Sequence, residues 1–385
     1  MDRVIPFFQP IINASTAEVV GHEALARLQS ADGQVSSAGH LLFSPSRTRS
    51  ERLNTDRSLR RLALERFADS GQPGYLTINI SPEWIDHTDG DDPYTVDLIK
   101  DLGIDPERVV IEVIETNADA GRLKDAVECY RNFGLKIAID DFGAGHSSFD
   151  RVINLQPDVI KLDMALFHKA LEMGGKAEHL IDSICFLAER LGSNILAEGV
   201  ENLEGFSYSQ KFGSQLLQGY LFSPAQADFT ATLAFDEHIT QLRHSYVDAE
   251  TQSLAKKRII RRVLDQQLLQ LMENTRTTAD LNIAALGVLT HPDFYKLYIC
   301  NHVGDQVTAD YIINNGAWHE QESARNTNLS CRPYFCQLQS AVQFKEHKIV
   351  TCAPYHDLHT KRLIETKACK LDDGLTLFID VAYRR

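Results

Sequence analysis

The chain has 385 residues, with 39 basic against 53 acidic side chains and a formal net charge of −14. At 43% hydrophobic and 24% charged residues it has an ordinary globular composition, which excludes a disordered or collagen-like chain. The acidic balance excludes a general binder of nucleic-acid polymers or anionic membranes; no run of about 18 apolar residues predicts a membrane span, and the first ten residues lack a signal-peptide layout.

Through residue 225 strand-like and helix-like stretches alternate. Leu59, Leu62, Ala63 and Phe67 predict one face of a helix, followed by a buried strand over Tyr75–Ile80. A strand over 109–114 precedes a helix carrying Leu123, Val127 and Tyr130 on one face, stopped by Gly134. Strands over 136–140 and 159–162 follow, then a helix with Leu180, Ile184, Leu187 and Leu191, and a strand over 194–197. Short β-branched strands between amphipathic helices predict a parallel sheet covered by helices. Polar residues at strand ends recur at 79, 112, 140, 161, 198 and 218, each gap fitting one strand-helix unit. That count favours a closed (β/α)8 barrel over a doubly wound sheet, which would need a Gly-rich phosphate turn after its first strand.

Residues 237–275 hold no proline or glycine and repeat Leu254, Ile260, Leu264, Leu268 and Leu271, which predicts one long connecting helix. Its basic group, Lys256, Lys257, Arg258, Arg261 and Arg262, is read as a solvated face. Beyond it, stretches over Phe294–Cys300, 347–352 and 376–381, with turns at Gly304-Asp305 and 372–374, predict a small α+β domain. The boundaries expected are 1–240 for the barrel, 241–279 for the helix and 280–385 for the C-terminal domain. Five of the seven cysteines fall in the last quarter of the chain; reduced thiols in a cytoplasmic protein are expected, Cys331 and Cys336 included.

The chemistry sits in the barrel strands. Asn79, Glu112 and Lys161 each stand between apolar residues; Asp140, Asp141 and Glu198 close strands. One buried charge can be a core ion pair, but four strands ending this way converge on the catalytic face of a barrel. Glu23, Glu112, Asp140, Asp141, Glu198 and Glu201 bring six negative charges against Lys161, a cluster that divalent cations would neutralise. Oxygen-only donors suit Mg2+ or Mn2+, and adjacent aspartates suit two metals, which points to phosphate-ester hydrolysis. A glycosidase would need two carboxylates and no metal.

The sequence resembles the EAL family of cyclic di-GMP phosphodiesterases. The namesake motif is Glu23-Ala-Leu25, within Gly21-His-Glu-Ala-Leu-Ala-Arg27. In order follow the other family motifs: Phe8-Gln-Pro10 ahead of it, then Asn79-Ile-Ser-Pro82, Glu112-Val-Ile-Glu115, Asp140-Asp-Phe-Gly-Ala-Gly145, Lys161-Leu-Asp163, Glu198-Gly-Val-Glu201 and Gln218-Gly-Tyr220. The resemblance covers residues 1 to about 235 and implies a barrel whose first strand runs antiparallel. It implies Glu23, Asn79, Glu112 and Asp140 as ligands of one metal, with Asp140 and Asp141 on a second. Lys161 would hold the attacking water, and Glu198 would act as base or second-metal ligand. Glu201 and Gln218 would support it, Arg27 would bind a substrate phosphate, and Gln9 and Leu25 would line the nucleotide pocket. Glu115 would hold the loop after Asp141, which tends to link catalysis to dimerisation. His146 departs from the aromatic residue many relatives carry in that loop.

Residues 280–385 look like the extracytoplasmic-sensor (Cache) type of PAS fold, on Arg332-Pro-Tyr-Phe335, Tyr355-His-Asp357 with Thr360, and Leu377-Phe-Ile-Asp380. In related sensors such an Arg, Tyr and Asp bind small ligands; core hydrogen bonding is the other reading. The expectation is a cytoplasmic homodimer hydrolysing cyclic di-GMP to pGpG, with a regulatory domain that passes its signal along the helix. The rival is a cyclic di-GMP receptor that binds without cleaving. No GG[D/E]EF cyclase motif is present.

Overall fold

The computed structural model describes residues 3–39, 46–80, 93–113, 120–140, 142, 149–166, 176–322, 325–344, 348–358 and 360–383. It folds as two compact units, residues 1–247 and 248–385.

In the first unit, strands β1 (Arg3–Asn13), β2 (Val19–Gln29), β3 (Val35–Ser37), β4 (Tyr75–Ile80), β5 (Val109–Val113), β6 (Lys136–Ile139), β7 (Val159–Asp163), β8 (Asn194–Glu198) and β9 (Leu216–Leu217) form one sheet. Its order is β1-β9-β8-β7-β6-β5-β4-β2-β3, and β1 also pairs β2, so eight strands close into a barrel with β3 outside the ring. β1 is antiparallel to both neighbours, while β2 and β4 to β9 pair in parallel, as the resemblance implied.

Among the described residues of this unit the α-helices around the barrel are α1 (Arg49–Ser70), α2 (Pro93–Asp101), α3 (Ala120–Phe133), α4 (Phe149–Leu155), α5 (Lys176–Leu191) and α6 (Leu203–Lys211). Thr48 caps α1 reciprocally with Glu51, the Thr-x-x-Glu pattern that satisfies two otherwise orphan donors. The helices bury their apolar faces on the barrel's outer surface, in one core running from Phe8 to Leu242. Two faces differ from the periodicity. On α1 the buried residues are Asp56, Arg60, Ala63, Leu64 and Phe67, with Leu59 and Leu62 half-buried. On α5 they are Ile181, Ile184 and Ala188, whereas Leu180 and Leu191 are exposed. α5 carries apolar residues on two adjoining faces, and the sheet took the one with the β-branched pair.

Inside the barrel, strand alternation builds layers. Ile11, Val110, Ala138, Val159, Leu196 and Leu216 pack as a separate cluster. Each lies two residues from a polar residue of the candidate site: Gln9, Glu112, Asp140, Lys161, Glu198 and Gln218. Gly21 is paired with Tyr75, whose ring lies 2.6 Å from where a Cβ on Gly21 would be. Only glycine admits that ring.

Helix α7 (Asp236–Asn274) has nearly the predicted bounds. In the second unit β10 (Phe294–Cys300), β11 (Asp310–Asn314), β12 (Ala317–Gln321), β13 (Val350–Thr351), β14 (Tyr355–His356), β15 (Leu363–Lys370) and β16 (Thr376–Ala382) form a seven-stranded sheet. Every pairing in it is antiparallel. Helix α8 (Phe335–Gln343) packs with Tyr298, Ala368 and Phe378, while Leu264, Leu268 and Leu271 pack with Leu297, Cys369 and Ile379. β11, β12, β15 and α8 were not predicted, and the stretch expected over 347–352 contributes only the two-residue β13. No described helix is long and apolar enough to cross a membrane.

Candidate active site

Seven parallel strands in a ring deliver their C-terminal ends to one face, and alternation turns the polar residue there inward. The ammonium of Lys161, on β7, is the centre. Its Nζ lies 2.7 Å from Glu198 Oε1, 2.8 Å from Glu112 Oε1, 3.1 Å from Asp140 Oδ1 and 3.3 Å from Glu23 Oε2. Lys161 and Glu112 have side chains only 1% exposed, and Glu198 and Asp140 are 18% and 16% exposed. The four carboxylates therefore grade from a sealed interior to an open rim.

Neutral amides complete the arrangement. Gln218 donates from Nε2 to Glu23 Oε2 at 2.7 Å, and Asn79 donates from Nδ2 to Glu23 Oε1 at 3.1 Å. Gln9 accepts from Gln218 at 3.2 Å and donates to the Ser223 carbonyl at 3.1 Å. Glu112 Oε1 stands near the ammonium but off the line of a hydrogen bond; neither of its oxygens accepts from a donor among the described residues, and a proton on its carboxyl would bond Glu23.

Electrostatics follow from this geometry. Burial pushes Glu23 upward, but Lys161 and the hydrogen bonds from Gln218 and Asn79 outweigh it and bring the carboxyl below its ordinary value. Burial pushes Glu112 well above the ordinary range, and Glu23 beside it adds to the effect. Burial likewise raises Glu198 to about 8, partly opposed by Lys161. Burial would discharge Lys161, yet the four carboxylates around it hold it well above the usual lysine range.

An open cavity of about 230 Å3 adjoins this cluster, lined by Glu23, Leu25, Arg27, Asn79 and Asp140 among others. Arg27 donates one bond to the Ala26 carbonyl from Nη1. Gln9, expected in the nucleotide pocket, and Gln218, expected in support of Glu198, are joined in the chain of bonds that reaches Glu23. Glu201 is exposed just past β8 and is not among the carboxylates around Lys161. Asp141, Glu115, His146 and the Ser81-Pro82 end of the asparagine motif lie outside the described residues. The sequence pattern missed Asp56 and Arg60. They are buried on α1, form an ion pair, line the cavity, and are joined by Thr95 on Arg60. Their i, i+4 spacing on an otherwise apolar face was the available signal.

Among the described residues, no group of three or more acidic, His or Cys side chains is spaced as a ready-made metal cage. The lysine ammonium takes the centre that the carboxylates share. The donor set nevertheless fits a hard divalent cation: oxygen-only, one amide, four carboxylates against one ammonium, and a buried Glu112 with unpartnered oxygens.

The second unit holds a larger cavity, about 710 Å3, lined by Lys296, Asp310, Arg332, Tyr334, Tyr355, Asp357 and Asp380 among others. Asp380 accepts from Thr366 at 2.7 Å and faces Lys296 at 3.4 Å; burial pushes its carboxyl up. Tyr334 bonds Tyr298 at 2.9 Å and stacks on Tyr355. All seven cysteines are free, with Cys331 and Cys336 exposed.

Comparison with known proteins gives matches over both units. The EAL domain model matches residues 1–225, and an EAL-domain associated signalling protein domain matches residues 229–385. The uncharacterized EAL-domain containing protein YkuI of Bacillus subtilis is 29% identical over 397 residues, covering 100% of this chain and 95% of YkuI. The crystal structure of YkuI in complex with substrate c-di-GMP and calcium matches with a TM-score of 0.85 at 27% identity, over 99% of this chain and 97% of that one. The cyclic di-GMP phosphodiesterase RocR of Pseudomonas aeruginosa is 30% identical over 222 residues, 56% of this chain and 56% of RocR. Klebsiella pneumoniae BlrP1, in a manganese and cyclic di-GMP complex, matches with a TM-score of 0.50 at 28% identity, over 59% of this chain and 60% of that one.

Proposed function

Since the chain belongs to the EAL-domain family, we propose that it hydrolyses cyclic di-GMP to linear pGpG with the help of divalent cations. The observation that carries this reading is the convergence of Glu23, Glu112, Asp140 and Glu198 on Lys161 at the mouth of a cavity lined by Arg27. A receptor needs the cavity and the arginine; it has no use for a buried, charge-crowded carboxylate set. RocR is named as a phosphodiesterase of this nucleotide, and YkuI was crystallised with it and calcium. Both support the substrate class.

Glu23, Asn79, Glu112 and Asp140 would hold one cation, and Asp140 with Asp141 a second, either Mg2+ or Mn2+. When bound, such cations acidify water and offset charge on a phosphodiester. Gln218 and Asn79 fix both oxygens of Glu23, so the carboxylate meets its ligand without reorganising. Arg27 binds a non-reacting phosphate group through its guanidinium, and Leu25 packs beside the nucleotide. Lys161 orients the attacking water and steadies charge as the phosphorus becomes five-coordinate. Glu198, at the rim of the site and 2.7 Å from the Lys161 ammonium, takes the water's proton. Gln9 supports this layer through Gln218, Glu201 stands at its outer edge, and Glu115 would steady the loop after Asp141. The test is product analysis in chelator against added Mn2+. The reading expects pGpG only with the cation; equal product in chelator would remove the metals from it.

The finer expectations belong to the same proposal. The protein works as a cytoplasmic homodimer, a state that suits exposed Ile153, Leu180 and Phe186 on α4 and α5. The second unit is a PAS-like regulator whose polar cavity takes a small ligand.

A further inference from the structure

Below the carboxylate layer, the barrel lumen contains polar atoms that the proposed reaction does not use. On β4, Tyr75, Thr77 and Asn79 alternate onto the inner face. At the depth of Thr77 the other strands contribute apolar residues, among them Val110, Ala138 and Leu196, and Tyr75 packs against that cluster. The Thr77 Oγ1 and the Tyr75 hydroxyl are both buried, and neither has a hydrogen-bond partner among the described residues. Glu112 Oε2, the innermost carboxylate of the site, is in the same condition. Burying a polar group without a partner is costly, so three in one narrow lumen call for a shared partner. Their chemistries are complementary: a phenol donates, a hydroxyl donates and accepts, and a carboxyl oxygen accepts. Burial, then the charge of Glu112, push the Tyr75 phenol upward, which sets the two groups within electrostatic reach. Tyr75 reaches that position because Gly21 opposite it lacks a Cβ.

We propose that Tyr75 and Thr77 hold an enclosed water beneath Glu112, and that this water fixes the carboxylate in the orientation a divalent cation needs. Two hydroxyls and one carboxylate supply three partners, the usual number for a buried water. The two hydroxyls are buried beside the apolar cluster, so a single trapped molecule is the fitting occupant. Tyr75 and Thr77 are therefore positioning residues: they touch neither substrate nor cation and act through Glu112. The inference rests on the reading of Glu112 as a metal ligand. Partners that orient a ligand in this way set metal affinity by about 10–100-fold.

Tyr75→Phe and Thr77→Val each remove one hydroxyl and keep the shape of the residue. Calorimetric titration of the full-length protein with Mn2+ should show affinity reduced about tenfold in either variant. A crystal structure of the unsubstituted protein should show a water within hydrogen-bond distance of Tyr75, Thr77 and Glu112. A lumen without that water overturns the proposal. A water present with Mn2+ affinity unchanged in both variants overturns the positioning role. If the unsubstituted protein binds no Mn2+ at all, the metal reading of the site fails and the positioning role falls with it, whereas the water itself stands or falls on the crystal structure.

Discussion

Lys161 carries the residue-scale argument, because one ammonium holds four carboxylates in a nearly sealed space. Lys161→Met leaves those charges facing one another. Removing one partner from a buried ion cluster costs about 3–5 kcal/mol, and the loss should be larger at pH 8 than at pH 5.5, where protons can replace the ammonium. Urea unfolding at the two pH values checks this. Hydrolysis should fall by about 10²–10³-fold in the same variant. Glu198 gives a second pH effect. Its folded-state value, about 8, exceeds the ordinary 4.5, so the folded protein binds this proton more tightly than the unfolded chain. The contribution is fully present below about 4.5 and is lost as pH rises through about 8. Metal-free protein should therefore melt at progressively lower temperature across that window, and Glu198→Gln should flatten the slope. Glu112 and Lys161 were legible in the sequence because each interrupts an apolar strand. Asp56 and Arg60 were not, because a helix tolerates charge on most faces and burial there is decided by what packs on it.

Elements show the same division. Barrel strands β4 to β8 were found, since parallel strands buried on both faces read as short β-branched runs, whereas β1, β2, β3 and β9 were not placed. The face of α5 was misassigned by one residue, because Leu180 and Ile181 offer adjoining apolar stripes and only the packed sheet chooses between them. β15 escaped because its residues serve two environments. Thr366 turns to the cavity network, whereas Glu365 and Lys367 meet Arg261 and Asp265 of α7 at 2.9 Å each. Such a strand has no hydrophobic period. The approach of β2 to β4 adds a prediction at this scale. Gly74 has φ +89°, and a Cβ on it would lie 2.2 Å from the Val20 carbonyl oxygen. Gly74→Ala should lower stability by about 3 kcal/mol or more, read by denaturant midpoint, while Thr48→Ala at the α1 cap should cost only about 1 kcal/mol.

At the scale of the whole molecule, the ring of strands makes the site. Residues as far apart in sequence as Gln9 and Gln218 meet because β1 closes against both β2 and β9. The alternation of strands and helices made a barrel legible, but the antiparallel first strand came only through the family resemblance, since a strand's direction leaves no trace in its composition. The division into two units gives a prediction here. Residues 1–247 alone should keep metal-dependent hydrolysis, and loss of residues 248–385 should change either its rate or the oligomeric state; a fragment unchanged in both would remove the regulatory role proposed for the second unit. The central claim is tested most directly by following cyclic di-GMP over time with Mn2+, comparing the full-length protein with Glu23→Ala. The account predicts pGpG accumulating with the unsubstituted protein and none with the variant. Stoichiometric nucleotide binding with no product would contradict it and make the protein a receptor.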